Sequence, residues 1–167
     1  MLDFIYQNVE QSATLQVFGI FFVLFIVCVW GFEWRKKKLG CQIILFDARF
    51  WYTPLEAQEL LKEIGDHGRR IYAFTQITLD VVFPFVYGGL ISIMFFAYSS
   101  PKYLFLIPIV TVIADLLENI TTAYLAWSYK GLLSQLAWAA AIFTAAKYIG
   151  LILSFLVILF EIIVFLR

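Results

Sequence analysis

Charged residues and histidine are scarce in this chain. Only 14% of its 167 residues are charged, whereas an ordinary soluble domain has about a quarter. His67 is the one histidine, which disfavours haem ligation and histidine-based zinc chemistry. The sequence also has no GxSxG, HExxH, P-loop or CxxC pattern. Enzyme activity is therefore uncertain and disfavoured, and we expect no catalytic residue, no metal and no cofactor.

The chain also has only two cysteines, and no basic residue precedes its first apolar run. Cys28 and Cys41 do not have a metal-binding spacing, so we expect two inert thiols in a reducing compartment. A cleavable signal peptide begins with basic residues. Here the segment before the first apolar run carries Asp3 and Glu10 and no base. We therefore expect this first run to be retained as a membrane anchor.

Long apolar runs are what the chain has in abundance. It is 63% hydrophobic and 19% aromatic, and a helix needs about 20 mostly apolar residues to cross a bilayer. The pattern predicts an all-α membrane protein, a four-transmembrane-helix bundle that occupies 1–167 as one domain. The predicted spans are 15–32, 71–98, 103–127 and 136–166.

The loop 33–70 between the first two spans contains a predicted amphipathic helix over 54–64. Thr53 is a typical capping residue, proline follows it, and Glu56 lies three residues after the cap. Gly65 is a typical helix end. The aromatic-rich stretch 46–52 precedes this helix, and two interpretations remain open for the loop. It either packs on one end of the bundle or forms a docking surface or lid.

Basic residues are concentrated in this loop, which predicts the orientation. The loop holds eight of the twelve lysines and arginines, whereas Lys102 and Arg167 lie on the opposite side. Since short cytoplasmic loops are enriched in lysine and arginine, we expect the loop inside and both termini outside. The net charge is zero, which disfavours nucleic-acid binding. The expected partners are the lipid bilayer and, as an open alternative, a second copy or another membrane protein.

Ionisable side chains inside the predicted spans are the candidate functional residues, because such groups are costly in a bilayer unless they are paired or hydrated. Asp115, Glu118 and Asn119 have the spacing of one helix face, and Pro84 leaves a backbone carbonyl free near Asp80. At ~1.5 Å per residue, three helices place such groups at similar depths of about 14–18 Å. The predicted intramembrane polar cluster comprises Asp80, Tyr87, Asp115, Glu118, Asn119 and Lys147.

The charges of this cluster do not balance. Three carboxylates face only Lys147, so two negative charges remain if every group is ionised. Carboxyl protonation, a base reaching in from the interface (Arg69 or Arg70), or a bound cation would each correct this. We therefore expect an ion or proton pathway or a small-ligand site. The alternative is a structural or assembly subunit of a membrane complex, in which the charges serve helix packing. A polar cavity at the cluster would favour the first interpretation.

Four segments resemble a known group of proteins. They are GDHGRRIY at 65–72, DVVFPFVY at 80–87, DLLEN at 115–119 and FTAAKY at 143–148. Together they resemble a family of small four-helix bacterial integral membrane proteins of uncharacterised function, over 46–155. The resemblance implies the four-span topology and a bacterial inner (plasma) membrane, and it implies no mechanism.

Overall fold

The structure, a computed structural model, describes residues 2–40, 44–98, 100–132 and 134–166. The chain is 85% helical, and the described residues contain no strand. Four helices are long and apolar enough to cross a membrane. The prediction of an all-helical chain with four such helices is therefore confirmed. Cys41 and Arg167, on which two further predictions depend, lie outside the described residues.

The described residues form seven α-helices and two short 3-10 helices. The 3-10 helices are Phe46–Ala48 and Lys102–Phe105. The α-helices are α1 (Leu2–Ser12), α2 (Leu15–Leu39), α3 (Pro54–Glu63), α4 (Gly65–Gln76), α5 (Leu79–Ala97), α6 (Leu106–Ser128) and α7 (Leu136–Phe165).

The clearest differences from the predicted spans are in the first and second apolar segments. Helix α2 continues past residue 32 to Leu39, because the charged residues that follow the apolar run are good helix formers. The second apolar segment divides into α4 and α5. At the junction, the Thr75 and Thr78 hydroxyls donate to the carbonyls of Tyr72 and Phe74 at 2.9 and 2.7 Å. Such side-chain bonds bend helices.

Helix α3 has the caps that its sequence encodes. The Thr53 hydroxyl accepts from the Glu56 backbone amide, and the Glu56 carboxylate accepts in return from the Thr53 amide at 2.6 Å. The hydrogen bond from the Thr53 backbone lowers the pKa of Glu56. Gly65 has φ +64°, a conformation that glycine adopts without strain, and it turns the chain directly into α4.

The long helices pack as a row rather than as a closed square. Helix α2 packs on α4 and α5, these two pack on α6, and α6 pairs along its length with α7. A Cβ atom added to Gly150 of α7 would lie 1.9 Å from Thr111 Oγ1 of α6. The α6–α7 pair thus depends on the absence of a side chain at this position.

Two apolar clusters fill the ends of the bundle, and a polar layer lies between them. At the α3 end, Phe46, Tyr52 and Tyr72 are fully buried among leucines and alanines of α3, α6 and α7. At the α1 end, Phe95 and Phe105 pack with Ile158 and receive side chains from α1. Between these clusters, α4–α5, α6 and α7 each contribute buried polar residues. This layer contains the candidate site.

Candidate functional site

The structure brings the six predicted cluster residues into the polar layer. None of them is more than 6% exposed. They are Asp80 and Tyr87 of α5, Asp115, Glu118 and Asn119 of α6, and Lys147 of α7.

Lys147 is the base of the first half of the cluster. Its Nζ atom lies 2.5 Å from Glu118 Oε2 and 3.5 Å from Asp115 Oδ1. The second oxygen of Asp115 accepts a hydrogen bond from the Tyr87 hydroxyl at 2.9 Å. Glu118 is fully buried, and no group among the described residues donates a hydrogen bond to its Oε1 atom. One lysine therefore serves two carboxylates, and it does not satisfy them completely.

Arg35 of α2 is the base of the second half. It is 3% exposed, and its two terminal nitrogens pair with Asp80 of α5 and Asp47 of the first 3-10 helix. Gln76 donates to the same Asp80 oxygen at 2.9 Å, and Thr122 donates to Gln76 at 2.9 Å. Arg35 thus joins α2, α5 and the loop at one point, inside the bundle.

The main-chain carbonyl of Asp80 has an unusual partner. Pro84, four residues later in α5, has no N–H group, so this carbonyl lacks its helical hydrogen bond. Asn119 of α6 supplies the donor, with its Nδ2 atom 2.6 Å from the Asp80 oxygen. The proline and the asparagine are therefore complementary parts of the α5–α6 contact.

The two interface bases lie apart from the cluster. Arg69 pairs with Asp66, donates to the Leu61 carbonyl at 2.7 Å, and lies 4.6 Å from the centre of the Tyr129 ring. Arg70 is exposed. The base that reaches into the cluster is Arg35, one of the eight bases of the segment 33–70, and not Arg69 or Arg70 as expected.

Sequence patterning held no signal for Arg35. The two buried residues of α2, Cys28 and Arg35, lie two turns apart on one face. The run that ends at residue 32 is apolar around almost the whole helix, so its buried side can be recognised only in the structure. Asp47 had no signal either, because a 3-10 turn within an aromatic stretch has no strong periodicity.

The loop segment around Asp47 packs on the bundle. The Asp47 carbonyl accepts from the Tyr148 hydroxyl at 3.0 Å, and its side chain accepts from Tyr72 at 3.3 Å. Next to it, Tyr52 is fully buried, and burial raises the pKa of its phenol. Of the two interpretations of the loop, this arrangement agrees with packing on one end of the bundle.

A cavity of about 210 Å³ opens beside the cluster. Its polar wall consists of three carboxylates and Lys147, and its apolar wall is formed mainly by aromatic rings. A second cleft of about 350 Å³ lies between the end of α2 and the loop that follows it, and Arg35 is among its lining residues. Phe32, Asp47 and Ala48 line both spaces, so these three residues form the wall that separates them.

The site has the chemistry to hold positive charge. Four acids pair with two bases in two groups, Asp47 and Asp80 with Arg35, and Asp115 and Glu118 with Lys147. Hydrogen bonds through Gln76 and Thr122 link the two groups into one network. Among the residues that the structure describes, no three histidine, cysteine or acidic side chains are grouped to hold a metal ion. No protein-family model, curated protein or solved structure matches the chain.

Proposed function

We propose that this chain is a small polytopic membrane protein that binds a cation in the cavity beside Asp80, Asp115 and Lys147. The four apolar helices support the membrane location. The positive-inside rule supports a cytoplasmic α3 end, with both termini outside. The observation that carries the proposal is the cavity itself, because an acidic network used only for packing needs no open space.

The charge of the network supports a cationic ligand rather than an anionic one. Asp47 and Asp80 share Arg35, while Asp115 and Glu118 share Lys147. If all are ionised, the network carries two negative charges. Uncompensated charge is costly in a low-dielectric interior. A bound cation or the uptake of protons lowers the free-energy cost of this charge. A cation that exchanges with protons would make the site part of an ion pathway.

The position of the second cleft supports access from the cytoplasmic side. It lies at the α3 end and is separated from the cavity by Phe32, Asp47 and Ala48. Asp47 is held in that wall by Arg35, which also holds Asp80. A cation that neutralises Asp80 would weaken the ion pair between Arg35 and Asp80. Because Arg35 also holds Asp47, occupancy of the cavity would then be coupled to the position of the wall.

Ligand-induced stabilisation of the purified protein tests this function. A ligand that binds only the folded state at 100 times its Kd raises the free energy of unfolding by ~2.7 kcal/mol. We expect at least one member of a panel of Na⁺, K⁺, Mg²⁺ and phenylethylammonium chlorides to raise the melting temperature in detergent, at constant ionic strength. Asp115→Asn should abolish the response. Glu59→Gln, at an exposed acid of α3, should retain it.

The result separates binding from the packing alternative. If no cation stabilises the wild-type protein, or if Asp115→Asn responds like the wild type, the proposal is wrong. A network that serves only helix packing would still give strong energetic coupling between its members, but it would give no saturable response to any cation.

The energetic coupling between Lys147 and Asp115 has a predicted sign. Lys147→Met leaves Asp115 and Glu118 without their base, and breaking a buried ion pair costs about 3–5 kcal/mol. Asp115→Asn keeps an acceptor for the Tyr87 hydroxyl and should cost less. The double variant should be more stable than Lys147→Met alone, because coupled sites are non-additive. Simple addition of the two single effects would show that these groups do not interact.

A further inference from the structure

The size of the cavity bears on which cation it holds. Its volume of about 210 Å³ equals roughly seven water molecules at ~30 Å³ each. A bare metal ion would fill a small part of it. An organic cation of about ten non-hydrogen atoms would fill most of it, with the charge at the acidic wall.

The acceptors in the cavity suit a directional donor more than a metal ion. Asp80 Oδ2 is already bonded to Arg35 and Gln76, and Asp115 Oδ2 is bonded to Tyr87. Within the described part of the chain, no side chain donates to Asp80 Oδ1, and Asp115 Oδ1 has only the 3.5 Å contact with Lys147. These two carboxylate oxygens, one on α5 and one on α6, can still accept hydrogen bonds. An ammonium group has several N–H donors and can therefore bond to both.

The opposite wall is aromatic. Phe83 and Tyr87 line the cavity with ring centroids 5.3 Å apart, and Phe32 packs edge-on against Phe83 at 5.0 Å. Tyr148 completes this side. Aromatic faces attract organic cations, and a mainly apolar wall with a few polar groups is typical of small-molecule sites.

We propose that the ligand of this cavity is a monovalent organic ammonium ion with an apolar, ring-sized substituent. The ammonium group would bind Asp80 and Asp115, and the substituent would contact the ring of Phe83. This inference rests on the proposed cation-binding function and goes beyond it, because it assigns the chemical class of the ligand.

Binding of phenylethylammonium to the full-length protein in detergent, measured by calorimetry, tests the assignment. We expect saturable binding that Na⁺, K⁺ and Mg²⁺ do not displace at equal concentration. The uncharged analogue 2-phenylethanol should not bind, because it lacks the charge that Asp115 recognises. Asp115→Asn should abolish binding of the ammonium ion.

A pair of variants on α5 tests the aromatic wall. Phe83→Leu keeps an apolar side chain and removes the ring, so affinity should fall about five-fold, the size expected for one cation–π contact. Phe85→Leu, at a position 56% exposed on the outer side of the same helix, should leave affinity unchanged. Methylammonium, which has no substituent to reach the ring, should bind both variants and the wild type alike.

The outcomes separate the two proposals. Stabilisation by an inorganic cation without phenylethylammonium binding would overturn the ligand class and leave the cation site standing. Absence of any cation effect would overturn both. Equal binding of phenylethylammonium and 2-phenylethanol, or an equal loss in the Phe83 and Phe85 variants, would overturn the ligand class.

Discussion

The link between Pro84 and Asn119 allows a sharp test of how α5 and α6 are joined. Asn119→Leu keeps the branching at Cγ and the number of non-hydrogen atoms, and it removes the donor that bonds the Asp80 carbonyl at 2.6 Å. That carbonyl is buried with its residue, 5% exposed, and it then has no partner because residue 84 is proline. Leaving a buried acceptor unpaired costs about 1–3 kcal/mol, and hydrogen bonds between membrane helices average ~0.6 kcal/mol. We expect a loss of about 1 to 2 kcal/mol.

Replacing the proline should reduce this loss. Pro84→Ala supplies a backbone N–H four residues after Asp80, which restores the helical donor to the same carbonyl. In that background Asn119→Leu should cost at least 1 kcal/mol less than in the wild type. The measurement is equilibrium unfolding of the four proteins of this double-mutant cycle in mixed detergent micelles.

A matched control on the same helix is available. The Thr121 hydroxyl donates to the Leu117 carbonyl of its own helix, so Thr121→Val changes α6 without breaking a contact to α5. It should alter stability by less than about 0.5 kcal/mol in either background. If Asn119→Leu costs the same with proline and with alanine at position 84, the carbonyl is not what the asparagine serves, and our account of this contact is wrong.

Two further predictions concern packing and capping. Gly150→Ala should destabilise the protein by about 1–3 kcal/mol in thermal unfolding, because the new Cβ meets Thr111. The control Gly19→Ala, whose new Cβ would have no atom within 4 Å, should be neutral or stabilising. Equal effects of the two substitutions would contradict the close approach of α6 and α7. The pKa of Glu56 is lowered in the folded state, so its capping contribution is present above its unfolded pKa of ~4.3 and is lost as the pH falls through the folded value. The protection of amides against hydrogen exchange at the start of α3, corrected for the intrinsic exchange rate, should therefore fall in acid. Glu56→Gln should remove that pH dependence, whereas Thr53→Ala, which keeps the backbone N–H that donates to Glu56, should only reduce it. An unchanged profile in Glu56→Gln would refute the capping account.

The sequence was informative about the fold wherever periodicity and composition agree. Apolar runs long enough to cross a bilayer predicted the four long helices. Helical spacing placed Asp115, Glu118 and Asn119 on one face, which the structure buries. Spacing within one helix does not say how neighbouring helices are rotated. The sequence therefore could not predict that Lys147 lies closer to Glu118 than to Asp115.

Arg35 shows a different limit of sequence reasoning. A base just beyond an apolar run resembles the flanking residues that set orientation, and nothing in its immediate neighbours distinguishes it from Lys36, which is exposed. Its burial depends on Asp47 and Asp80, which are distant in sequence. The division between α4 and α5 was likewise hidden, because hydropathy does not register threonine hydroxyls that bond to their own helix.

The placement of Lys147 has a consequence for biogenesis. Asp115 and Glu118 leave the ribosome on α6 before their base, which is carried by α7. In the membrane location that we propose, a single acid near the bilayer centre opposes insertion by about 2.5–3.5 kcal/mol, so α6 alone would be a poor substrate for the translocon. The connection between the two helices is short, and they pack closely along their length. We therefore expect α6 and α7 to enter the bilayer together as a hairpin, with the ion pairs formed during insertion rather than after it.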